Sequence, residues 1–85
     1  PTFALVHEYK GKENKLYHFD MYRISTWDDL YSTGYFDYLD AGEILAVEWS
    51  ENIENALPED CVKVFFSPGE KDNERNIKII GVDLL

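Results

Sequence analysis

Two stretches decide how this chain is read: Leu16–Arg23, LYHFDMYR, and Ile44–Glu51, ILAVEWSE. Each opens as an apolar strand, and each runs into an acid, Asp20 in the first and Glu48 in the second. The C-terminal ends of strands are where open α/β sheets gather their ligands. An acid in that position is anchored by the strand and still reaches solvent. Four apolar residues followed by Glu48 have the shape of a Walker B strand. The acid of such a strand holds Mg²⁺ through water or orients the water that attacks a γ-phosphate. Two acids also fit the acid and base of a glycosidase, and many apolar strands end on a polar residue with no catalytic meaning.

Outward from these stretches, Thr2–Tyr9, TFALVHEY, alternates: Phe3, Leu5 and His7 fall on one face, Ala4, Val6 and Glu8 on the other. Alternation of this kind marks a strand with one wetter face. The polar KGKEN turn, Lys10–Asn14, then joins it to the HFD strand as an antiparallel hairpin. After Arg23 the period changes. Ser25 or Thr26 can cap a helix, with Asp28 and Asp29 at capping-box spacing. Trp27, Leu30 and Tyr31 share one face of it, and Gly34 ends it. Tyr35–Asp40 reads as a second short helical turn closed by Gly42.

Glu43–Trp49 is the most apolar strand and is expected at the centre of the sheet, parallel to its neighbours. Ser50 is expected to cap the next helix, with Ile53, Ala56 and Leu57 as its apolar stripe and Pro58 as its stop. Cys61–Phe66 and Asn76–Leu84 read as an antiparallel pair joined by the charged loop Ser67–Arg75. The order β-β-α-β-α-β-β predicts an α/β fold with a mixed sheet. Two short helices supply little cover for the apolar strand, so a face or edge of this sheet is expected to be completed by something outside these residues.

The bulk numbers bound the function. The 85 residues make one small domain at most, and 45% hydrophobic content is a folding composition. Eight basic against 17 acidic residues give a net charge of −9, which disfavours a direct grip on nucleic acid or an anionic membrane. Proteins or metal-complexed small molecules are the expected partners, although such a charge also serves plain solubility. The single cysteine, Cys61, rules out a disulfide within the chain and suits a reducing compartment. His7 and His18 lie on separate strands without metal-type spacing and read as strand-face residues. No nucleophile elbow is present, and no GxxxxGK[ST] phosphate loop. The residues by themselves therefore describe half of an active site.

The motifs PTFALVHEY, LYHFDMYR, GYFDYLDAG, VEWSE and LPED occur in this order and spacing. In that they resemble the bacterial TsaE (YjeE) ATPase family of threonylcarbamoyladenosine biosynthesis in tRNA. The resemblance runs from Pro1 to about Asp60. It implies a P-loop NTPase-like fold, incomplete here, with residues 1–85 as the C-terminal part of a single ATPase domain that begins just after the Walker A half. It implies ATP and Mg²⁺ as cofactors, with no hydrolysis expected from this sequence without that half. Thr2 then matches the switch threonine near Mg²⁺, Asp20 a Mg²⁺-site acid, and Glu48 the second acid, on Mg²⁺ or on the attacking water. Trp49 matches the tryptophan beside the nucleotide. Tyr22 and Arg23 match the motif, and Arg23 either pairs with Asp20 or faces a partner. The family works in the cytoplasm with two partner proteins of the threonylcarbamoyl-transfer complex, of TsaB and TsaD type.

The rival reading is a non-catalytic acidic docking module anchored by Trp27, Tyr31, Tyr35, Phe36 and Tyr38. Open sheet edges also raise a homodimer of the isolated chain as an expectation.

Overall fold

A computed structural model describes residues 5–81. Thr2, Phe3 and Ala4 of the first alternating stretch lie outside the described residues, as does the end of the last strand. The elements run β1 (Leu5–Lys10), β2 (Lys15–Asp20), α1 (Trp27–Ser32), α2 (Tyr35–Asp40), β3 (Ile44–Glu48), a 3-10 segment (Ser50–Ala56), β4 (Lys63–Pro68) and β5 (Arg75–Ile80). Among the described residues no helix is long and apolar enough to cross a membrane.

β1 and β2 form the expected antiparallel hairpin, and β2 pairs with β3 in parallel, giving a three-stranded mixed sheet in the order β1-β2-β3. The register fixes two faces. Val6, Glu8, Tyr17, Phe19, Leu45 and Val47 share one, while His7, Tyr9, Leu16, His18, Asp20, Ile44, Ala46 and Glu48 share the other. The helices cover the first face. Phe19 is fully buried there, edge-on to Tyr35 and Tyr38, and Tyr17 packs against Tyr38 with ring centroids 4.3 Å apart. Met21, Ile24, Leu30, Tyr35 and Ile53 complete the core.

Local chemistry explains the first helix. Thr26 caps α1 by accepting the Asp29 N–H at 3.0 Å, and Asp29 reaches back to the N–H and hydroxyl of Ser25, both at 3.2 Å. Both candidate caps are therefore used, in different roles. Gly34, at φ 82°, lets the chain leave α1 and enter α2 at once.

Two expectations are corrected. Among the described residues β3 is paired on one side only, so this apolar strand is an edge of the sheet rather than its centre. The segment after it is 3-10, kinked at Ile53, and its cap position is Trp49, which makes no side-chain capping bond; Ser50 lies inside the element. The last two strands form the expected antiparallel pair, as a ribbon separate from the mixed sheet among the described residues. Val64, Phe66, Ile77 and Ile79 line one face of that ribbon, and all four are exposed.

The helical aromatics also divide. Tyr35 is buried and Tyr38 half-buried against the sheet, whereas Trp27, Tyr31 and Phe36 pack on one another outside it. Of the face expected from Trp27, Leu30 and Tyr31, Leu30 alone is buried.

Candidate functional site

β2 and β3 run in the same direction and end together. Asp20 and Glu48 are Cα partners in the last pair of the parallel ladder, on the sheet face opposite the helices. Neighbouring strands lie about 4.8 Å apart, so the two carboxylates start from adjacent points. The Met21 N–H donates to the Glu48 carbonyl at 3.0 Å and extends the ladder past the acids. Met21 is itself fully buried, so the rim that carries the acids rests on the core.

Each acid has a defined hold. Asp20 Oδ1 accepts the Tyr22 N–H at 3.0 Å, a local turn that orients the carboxylate at the strand end. Glu48 Oε1 lies 2.6 Å from His18 Nε2. The expected alternative for Asp20, an ion pair with Arg23, is not formed; Arg23 is exposed.

Trp49 follows Glu48 in a left-handed conformation, φ 59° and ψ 41°, the one non-glycine residue with positive φ among those described. That turn brings its ring edge-on to Tyr22, centroids 4.9 Å apart. Asn52 then closes the arrangement: its Nδ2 donates to the carbonyls of Met21 at 3.0 Å and Tyr22 at 3.2 Å. The segments after Asp20 and after Glu48 are thus tied by a backbone bond, an aromatic contact and a side-chain clamp.

Of the residues named from sequence, Asp20, Glu48 and Trp49 come together at one end of the sheet. Thr2 lies outside the described residues. Two residues were missed. Asn52 carried no signal beyond lying near Glu48. His18 had one: the period of two sets it on the same strand face as Asp20.

The carboxylates of Asp20 and Glu48, on paired strand ends, are hard oxygen donors of the kind Mg²⁺ takes, one or two at a time, with waters and phosphate oxygens completing its octahedron. Among the described residues no three His, Cys, Asp or Glu side chains gather into a metal cage.

The family model of the threonylcarbamoyl adenosine biosynthesis protein TsaE matches residues 1–77. The tRNA threonylcarbamoyladenosine biosynthesis protein TsaE of Haemophilus influenzae is 36% identical over 80 residues, 94% of this chain and 49% of that protein. Those of Rickettsia prowazekii and Bacillus subtilis are 38% and 32% identical, over 75% and 96% of this chain and 44% and 50% of their own lengths. The chain thus spans about half the length of these relatives. With a match over most of its length and the paired acids of HFDMYR and VEWSE side by side, the chain belongs to the TsaE family of tRNA threonylcarbamoyladenosine biosynthesis.

Proposed function

We propose that this chain is the acid-bearing part of a P-loop ATPase domain, which hydrolyses ATP with Mg²⁺ in tRNA threonylcarbamoyladenosine biosynthesis. The observation that carries the reading is the pairing of Asp20 with Glu48 at the ends of two parallel strands. Nucleotide sites of open α/β sheets form at such strand ends. The exposed Ile44 and Ala46 on the acid-bearing face, and the uncovered row on the β4–β5 ribbon, suit a sheet that packs against more of the same domain.

In this reading Asp20 and Thr2 hold the metal, whose contribution when bound is to neutralise charge on the transferred phosphoryl group. Glu48 orients the attacking water and accepts its proton. Trp49 lies beside the nucleotide, and its contact with Tyr22 keeps the two acid-bearing segments in register. Most of the acceleration comes from positioning and electrostatics, since phosphoryl transfer asks little covalent chemistry of the protein. The Walker A segment that cradles phosphate must come from outside these residues. Hydrolysis resets a complex with two partner proteins of TsaB and TsaD type, in the cytoplasm, and the net charge of −9 on these residues suits leaving the grip on tRNA to those partners.

The test is Glu48→Gln in a full-length family protein that carries this sequence together with its Walker A segment. Hydrolysis is expected to fall by about 100-fold or more with the fold intact. Undiminished hydrolysis overturns the assignment. A second reading, a docking module, is favoured by one observation: Trp27 and Tyr31 are 53% and 64% exposed beside Phe36. It expects partner binding to survive Glu48→Gln and to be lost in Trp27→Ala or Tyr31→Ala.

A further inference from the structure

We infer that His18 is a positioning residue for Glu48, holding its carboxylate in one orientation so that the remaining oxygen can order a water. The inference rests on the role given to Glu48 above.

Four observations carry it. The His18 Nε2 to Glu48 Oε1 distance is 2.6 Å, short even for a hydrogen bond to a charged group. An ionised carboxylate only accepts, so Nε2 carries the proton and donates. Among the described residues Glu48 Oε2 takes no hydrogen bond, and its lone pairs stay available to water.

The backbone makes the contact specific. His18 is the Cα partner of Ala46, two residues before Glu48 on the same face of β3. The alanine methyl leaves room for the imidazole to lean along the strand to Glu48. A larger side chain at that position would occupy the path.

The two partners differ in restraint. The His18 side chain is 27% exposed and rises from β2, the strand hydrogen-bonded on both sides, with the His7 ring stacked 6.3 Å away on its far flank. Among the described residues the Glu48 side chain is 61% exposed, at the end of a strand paired on one side. A glutamate in that setting otherwise spreads over several rotamers, and ordering it at the moment of reaction costs entropy. The imidazole supplies that order in advance. Asp20 has its own hold through the Tyr22 N–H, so His18 acts on one acid of the pair.

The experiment uses the same full-length protein and compares His18→Ala, His18→Gln and Glu48→Gln. His18→Ala is expected to lower kcat about 10-fold, the usual cost of losing an orienting partner, with KM for ATP within about twofold. His18→Gln, which keeps an N–H donor near the same point, is expected to regain most of kcat. Independently of turnover, the imidazole ¹⁵N spectrum of the unmodified protein should show His18 protonated at Nε2, with that signal displaced in Glu48→Ala.

Wild-type kcat in His18→Ala overturns the inference. So does equal impairment in His18→Gln and His18→Ala, or a His18 ring without a proton on Nε2. If Glu48→Gln itself hydrolyses normally, the assignment of Glu48 fails first; if it is dead while His18→Ala is fully active, only the positioning role falls.

Discussion

The rings of Tyr22 and Trp49 meet edge to face, centroids 4.9 Å apart, across the two segments that leave the acid-bearing strands. Trp49 reaches this contact only through a left-handed backbone, a conformation that costs a non-glycine residue about 1–2 kcal/mol. The contact and the Asn52 clamp below it offset that cost, and the pair should behave as one unit. In urea unfolding, Tyr22→Ala and Trp49→Ala are expected to show a coupling energy of about 0.5–1 kcal/mol in a double-mutant cycle. Both rings are half-exposed, which argues for the lower end. Strict additivity would show that the two motif ends are held by the backbone and Asn52 alone.

Gly34 joins α1 directly to α2 at φ 82°, and a Cβ built there would lie 3.4 Å from Cε2 of Tyr38. Space is adequate, so the backbone decides. Gly34→Ala should destabilise by about 1–2 kcal/mol in thermal or urea unfolding, and Gly34→Asn by less, because asparagine tolerates the left-handed region. An alanine variant as stable as the parent would mean that the junction relaxes to negative φ.

Much of this fold was legible in the residues, and its failures share a cause. The alternation of KLYHFD, the capping residues Ser25, Thr26 and Asp29, and the apolar run ILAV each report a local preference, and each element formed where that preference lay. Ser50 had an equally good local case as a cap. The chain instead turns at Trp49 so that Asn52 can reach the Met21 and Tyr22 carbonyls, a tertiary demand that nothing local encodes. The apolar character of Ile44–Val47 reports that the strand needs cover, not how many neighbours it has. For the site, the sequence named both acids, but their adjacency and the reach of His18 to Glu48 depend on the β2–β3 register, and pairing register is invisible in one strand read by itself.

Asp29 predicts a pH dependence. Hydrogen bonds from the Ser25 backbone, opposed by some desolvation and helped by the Ser25 and Thr26 side chains, hold its carboxyl below the ordinary value of 3.8. A carboxyl depressed in the folded state contributes stability that is fully present above that ordinary value and is lost as pH falls through the lowered one. Thermal melts from about pH 5 downward should therefore lose stability at the α1 N-terminus in the acid range. Asp29→Asn should flatten that part of the profile, most directly in the amide shift of Ser25. An Asn variant with an unchanged acid profile would place the sensitivity elsewhere.

Asp20 can be made to separate structure from metal binding. Its Oδ1 accepts the Tyr22 N–H at 3.0 Å, and the amide oxygen of asparagine can accept the same bond in the same turn. Asp20→Asn should therefore keep the turn and the parent stability. Asp20→Ala should lose about 1 kcal/mol, the worth of one such hydrogen bond. If the charge of Asp20 serves Mg²⁺, both variants must raise the Mg²⁺ concentration for half-maximal hydrolysis in the full-length protein, by about tenfold or more. The decisive variant is the asparagine one, because its fold is expected to be unaltered. A normal Mg²⁺ requirement in Asp20→Asn would confine Asp20 to shaping the turn after β2, and the metal would then depend on Glu48 and on residues beyond those described.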